Sequence, residues 1–149
     1  MSNKTRNTLL AQSILTLNKM YWFVTRPKTT GVKVLLFNQE NKVLMVRLTY
    51  YPTTWTFVGG GVHKNETPEA AAIRECREEV GIVLQTTDFV TTLDFNHEYK
   101  KDTVYIFQAS INTSDYTIDP KEIAEAAWFE VNDLPHMGKN AQRILQTVV

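Results

Sequence analysis

The chain has 149 residues, of which 43% are hydrophobic and 21% charged, with Lys plus Arg and Asp plus Glu balanced at 16 each. That length and composition suit one soluble globular domain with a sizeable core. The neutral balance argues against wholesale nucleic-acid binding, the single cysteine excludes an internal disulfide and fits a reducing, cytoplasmic compartment, and no apolar run reaches membrane-spanning length.

Residues 1–30 read as an extension ahead of a domain at 31–149. Leu10, Ile14, Leu17 and Tyr21 repeat at helical spacing, which predicts an amphipathic helix packed on the domain or on a second subunit. A homodimer is therefore one expected assembly. Gln12, Ser13 and Thr16 interrupt the apolar run, and no small-residue cleavage site follows, so the segment does not read as a signal peptide. Tyr21, Trp22 and Phe23 close it as an aromatic cluster suited to packing.

Val32 to Phe37 is a predicted first strand and Val43 to Thr49 a second, with Asn38-Gln39-Glu40-Asn41 as turn material between them. The two should pair as a hairpin. Arg47, late in the second strand, is a candidate for a substrate phosphate, although a surface ion pair is the commoner fate of such a residue. Tyr50, Tyr51 and Pro52 lead to Trp55. Tyr51 and Trp55 are candidates to line a base or sugar pocket.

Gly59 to Ile82 reads GGGVHKNETPEAAAIRECREEVGI, a glycine-rich loop followed by a glutamate-bearing helix. Glycine lets bare backbone approach a ligand. Thr67 suits the N-cap, Pro68 the first turn and Gly81 a left-handed helix end. Ala72, Ile73, Cys76 and Val80 share an apolar side. Glu75, Glu78 and Glu79 crowd on a neighbouring side, where like charges at this spacing each cost a helix about 0.2–0.5 kcal/mol. A compensating cation is invited, and carboxylates without paired His or Cys point to Mg²⁺ or Mn²⁺ rather than zinc. The bland alternative is a solvated acidic face. Arg74 can reach Glu78 four residues on.

Phe89 to Phe95 and Thr103 to Ser110 read as two further strands joined by a polar piece containing His97 and Glu98. Residues 113–125 are a polar connection, Ala126 to Val131 a last strand, and Asn140 to Val148 a closing helix. The three histidines show no metal-ligand spacing. The glycine loop fits neither a Walker loop nor a dinucleotide fingerprint, and no serine-hydrolase elbow occurs.

The spacing of Gly60, Glu66, Arg74-Glu75, Cys76, Glu78-Glu79, Gly81 and Ile82 resembles the Nudix box at every fixed position. Trp55 and Phe57 before it, and Ala124 to Phe129 with Leu134-Pro135 after it, resemble the family's flanking elements. Val58 departs from the proline that many members carry there. The resemblance implies an α/β/α sandwich around a mixed sheet, and hydrolysis of the pyrophosphate bond in a nucleoside diphosphate linked to another moiety. It implies Glu75 and Glu79 as direct metal ligands, Glu78 completing the set, and the carbonyl of Gly59 as a backbone ligand. Arg74 would orient a glutamate and Glu66 would brace the loop–helix unit. Glu122, or else Glu125 or Glu98, would supply a further ligand or the base. A small nucleotide is the expected substrate partner, and neither a membrane nor nucleic acid is expected.

No proline occurs between Pro68 and Pro120, so the NADH signature is absent and an ADP-ribose assignment is weakened. Nucleoside triphosphates, nucleotide sugars and dinucleoside polyphosphates stay open. Two other classes remain beside the hydrolase. One is a nucleotide-binding sensor, which typically loses box glutamates that this chain keeps. The other is an mRNA-decapping enzyme, which would be expected to show a basic surface.

Overall fold

The computed structural model describes residues 28–97 and 100–148. The N-terminal helix expected within residues 1–30, and Glu98, lie outside the described residues. The elements run β1 (Lys28–Phe37), β2 (Val43–Leu48), β3 (Tyr51–Thr56), α1 (Pro68–Val80), β4 (Asp88–His97), β5 (Lys100–Ser110), β6 (Ile123–Phe129) and α2 (Lys139–Val148).

The strands form one mixed six-stranded sheet in the order β3-β2-β1-β5-β4, with β6 paired to β2. Alternation along β1 divides its side chains between two faces. Val32, Val34 and Leu36 join Ala71, Ala72, Cys76 and Val80 of α1 in one core. Leu35 joins Met45, Phe57, Phe95 and Ile106 in a second core, closed by Ala141 and Ile144 of α2. A helix on each face of a mixed sheet is the α/β/α sandwich that the resemblance implied.

The expected hairpin exists only at its turn. Asn38, buried, accepts bonds from the Glu40 and Lys42 N–H groups, each at 3.0 Å, and Asn41 adopts a positive φ of 57°. β1 and β2 then share only the Phe37–Val43 register point. The long partner of β1 is β5, parallel to it from Lys28–Lys101 to Phe37–Ser110. Beside β1 lies the chain that follows β3: the N–H groups of Val32 and Val34 donate to the carbonyls of Gly60 and Val58, at 2.9 and 2.8 Å. The glycine loop is thus clamped to a central strand.

Four predicted strands are longer or shifted. β1 begins at Lys28, β4 and β5 approach each other until only residues 98 and 99 separate them, and β6 starts at Ile123 rather than Ala126. Six pairs, from Val43–Phe129 to Leu48–Ile123 with a register shift after Arg47, recruit the first residues of β6 into the ladder. Composition gave no sign of that recruitment because the partner is distant in sequence.

Candidate active site

The helix carrying the glutamates forms for local reasons. The Thr67 side chain accepts from Ala70 N–H at 3.2 Å, Pro68 opens the first turn, and Gly81 closes the helix at φ 69°. Its acidic side then meets the glycine loop. Gly59 has φ 139°, and a Cβ there would lie 2.1 Å from the Val32 carbonyl oxygen, so the approach to β1 requires glycine. At Gly60 a Cβ would fall 2.5 Å from Glu75 Oε1. That glycine leaves room for a carboxylate.

The glutamates have different environments. Glu75 and Glu79 are buried, at 7% and 4% exposure, whereas Glu78 is half exposed. Arg74 donates through Nε and Nη2 to both oxygens of Glu66, through Nη1 to Glu75 at 2.8 Å and Glu78 at 3.0 Å, and through Nη2 to the Gly61 carbonyl at 2.8 Å. Glu66 also accepts the His63 N–H at 2.9 Å. One guanidinium therefore ties the loop, the helix and three carboxylates together. It holds the Glu66 carboxyl down at about 2, with the His63 N–H contributing.

Glu79 Oε2 accepts the Gly59 N–H at 3.0 Å. Burial pushes its carboxyl up to about 7; Lys33 and the Gly59 N–H oppose the shift, while the charges of Glu75 and Glu122 add to it. Glu122 comes near because the preceding loop docks on the end of α1. Thr117 N–H donates to the Val80 carbonyl and Asp119 N–H to that of Glu79, at 2.9 and 3.0 Å. Tyr50 stands by the same charges: burial first, then Glu79 and Glu122, raise its phenol.

Among the described residues, no three His, Cys, Asp or Glu side chains close around a common point. Glu75 and Glu78 turn to Arg74 and Glu79 turns to Gly59. The donor chemistry nevertheless fits a hard divalent cation. It is all oxygen, and it includes a buried carboxylate that its surroundings disfavour as an anion.

The remaining candidates separate. Tyr51 and Trp55 line a cleft of about 450 Å³ with Lys33, Leu48 and Asn140. Arg47 donates to the Pro52 carbonyl at 2.9 Å, pairs with Glu125 and lies over the Trp55 ring at 5.3 Å. Arg47 and Glu125 are therefore engaged with each other, and Glu122 alone of the two acidic candidates reaches the cluster. Cys76 is buried, its thiol pushed up to about 12, chiefly by burial.

Sequence reasoning missed Lys33. Its ammonium donates to the carbonyls of Phe57 at 2.8 Å and Gly59 at 3.2 Å. Burial lowers its pKa, while Glu79 and Glu75 sustain the charge. The signal was a lysine inside the apolar run Val32 to Phe37, at a position that strand alternation turns away from the α1 face.

The family model for the NUDIX domain matches residues 27–147. The chain belongs to the Nudix hydrolase family. The NAD-capped RNA hydrolase NudC of Escherichia coli (strain K12 / DH10B) is 28% identical over 127 residues, covering 83% of this chain and 49% of that protein. The Nudix chain thus spans about half the length of the curated relatives it matches. Its fold is similar to the crystal structure of a MutT NUDIX hydrolase from Burkholderia pseudomallei, with TM-score 0.74 and 21% identity over 83% of this chain and 99% of that one. It is also similar to the E. coli dihydroneopterin triphosphate pyrophosphohydrolase, with TM-score 0.70 and 21% identity over 80% and 94%. Among the described residues, no helix is long and apolar enough to cross a membrane.

Proposed function

We propose that this Nudix chain hydrolyses the pyrophosphate bond of a nucleoside diphosphate linked to another moiety, using Mg²⁺ or Mn²⁺ held by Glu75, Glu78, Glu79 and the Gly59 carbonyl. The observation that carries this reading is the buried Glu79 carboxylate. It faces the glycine loop with Glu75 and Glu122 near enough to raise it. Natural sequences seldom bury such a group without a compensating charge.

When bound, the divalent cation would neutralise phosphate charge and lower the pKa of a coordinated water. The chain's own residues position the rest. Arg74 fixes Glu75 and Glu78, Glu66 braces Arg74, and the Gly59 N–H orients Glu79. Glu122 offers a further carboxylate from outside the helix, as a ligand or base. Tyr51 and Trp55 offer aromatic faces to a base or sugar. Catalysis by such a site is mostly positioning and electrostatic stabilisation.

The test is phosphate, pyrophosphate and nucleotide release from a panel with Mg²⁺, comparing wild type with Glu79→Gln. The panel holds nucleoside triphosphates, nucleotide sugars, ADP-ribose and dinucleoside polyphosphates. The likeness to NudC adds NAD and NAD-capped RNA. Turnover of one class, lost in the variant, supports the hydrolase and names its substrate group. Nucleotide binding without turnover of any panel member overturns hydrolysis in favour of a sensor.

A further inference from the structure

Two clefts, each of about 450 Å³, share Lys33 and Leu48, and one of them is lined by the glycine loop. One is lined by Tyr51, Thr54, Trp55 and Asn140, the other by Tyr50, Gly59, Gly60, Gly61 and Val104. Lys33 therefore stands where the clefts meet, with its ammonium bonded to the carbonyl next to the glutamate cluster.

Lys139 also lines the cleft that holds Trp55, but only that cleft, and three other cations near the site are committed elsewhere. Arg74 spends its guanidinium on Glu66, Glu75, Glu78 and the Gly61 carbonyl. Arg47 is paired with Glu125, and Lys100 pairs with Asp102 at 3.1 Å. Lys33 forms no contact ion pair among the described residues. It bonds two neutral carbonyls, which leaves one of its three N–H donors for an anion.

Resting on the hydrolase reading above, we propose that Lys33 anchors the pyrophosphate of a two-headed substrate, with one linked group lodged in each cleft. The ammonium offers a charge-assisted hydrogen bond to phosphate oxygen, and it counters the repulsion between the phosphates and the glutamates. Placing the pyrophosphate over the shared residue brings it to the glycine loop while both clefts fill. A nucleoside triphosphate fills only one of them.

Lys33 is a substrate-positioning residue, so binding is the first readout. The probes are ADP, diadenosine pyrophosphate and adenosine, titrated calorimetrically against the full chain without metal. Diadenosine pyrophosphate should bind at least about tenfold more tightly than ADP. Lys33→Met should weaken both by about tenfold to a hundredfold, the worth of a hydrogen bond to a charged group, and leave adenosine unchanged. Lys33→Arg should recover most of the loss. Thr54→Trp fills the cleft beside Trp55 without touching the ammonium's bonds. It should reduce diadenosine pyrophosphate to the affinity of ADP, which keeps the test decisive if Lys33→Met fails to fold. Unchanged pyrophosphate binding in Lys33→Met overturns the anchor. Equal affinities of ADP and diadenosine pyrophosphate in wild type overturn the two-headed site. Either result can stand beside normal turnover in wild type, which would preserve the hydrolase reading. Absence of any pyrophosphate binding overturns the proposal, and absence of turnover across the panel as well removes the hydrolase reading.

Discussion

Replacing Glu79 by Gln should stabilise the metal-free protein above neutral pH while destroying its activity. Glutamine is nearly isosteric and keeps an acceptor for the Gly59 N–H, but it does not titrate. The folded carboxyl is pushed up from 4.5 to about 7 by burial, against the pull of Lys33 and the Gly59 N–H. A raised carboxyl binds its proton more tightly in the folded state than in the unfolded state. Its stability contribution is therefore complete below pH 4.5 and is lost as pH rises through about 7. From 4.5 to about 7, at about 1.4 kcal/mol per pH unit, the loss is roughly 3.5 kcal/mol at pH 8. Removing the charge also withdraws the main support of the Lys33 ammonium, so about 3.5 kcal/mol is an upper bound. For a chain of this size that corresponds to a melting shift of at most roughly 7–14 °C. The assay is urea unfolding in EDTA from pH 4.5 to 8. The difference between variant and wild type should grow across that window in the variant's favour. Added Mg²⁺ should then stabilise wild type and leave the variant unmoved, with turnover down by about a thousandfold or more. Parallel pH curves for the two proteins would refute the reasoning about burial at Glu79.

EDTA should abolish hydrolysis and Mg²⁺ or Mn²⁺ should restore it; full turnover in excess chelator would contradict the carboxylate-held metal. Gly60→Ala places a methyl 2.5 Å from Glu75 Oε1, so the carboxylate must move. Turnover should fall by about a hundredfold or more with far-ultraviolet circular dichroism unchanged, since small misplacements at a reacting centre are that costly; near-normal kinetics would show that Glu75 does not need its place. Glu66, held at about 2 by Arg74, contributes stability that is present above pH 4.5 and lost as pH falls towards 2. Glu66→Gln should flatten the acid side of the stability curve over that window, and an unchanged acid profile by tryptophan fluorescence would reject the clamp. Cys76, buried with its thiol pushed up to about 12, should resist thiol reagents at pH 8 until urea unfolds the chain; rapid labelling of native protein would disprove its burial.

The sequence by itself determined the features that rest on near neighbours. Thr67, Pro68 and Gly81 bound the helix because caps and turns are read within a few residues. The Arg74–Glu78 contact follows from one helical turn, and the box spacing placed three glutamates on one side of α1. Tertiary structure decided what depends on distant partners. The helix spacing does not distinguish Glu75 and Glu79, sealed beneath the glycine loop, from Glu78, left half exposed. Arg47 meets Glu125 from 78 positions away because β2 and β6 share a ladder, so its engagement could not be read from either stretch. Lys33 carries no local signal beyond its place in the predicted strand Val32 to Phe37. It became a deep cation because β1 took β5 as its long partner while the chain after β3 lay along its other side. That pairing brought the carbonyls of Phe57 and Gly59 to its ammonium. Caps, turns and helical spacing act within a few residues of the chain, whereas burial and charge pairing exist only once remote segments have packed.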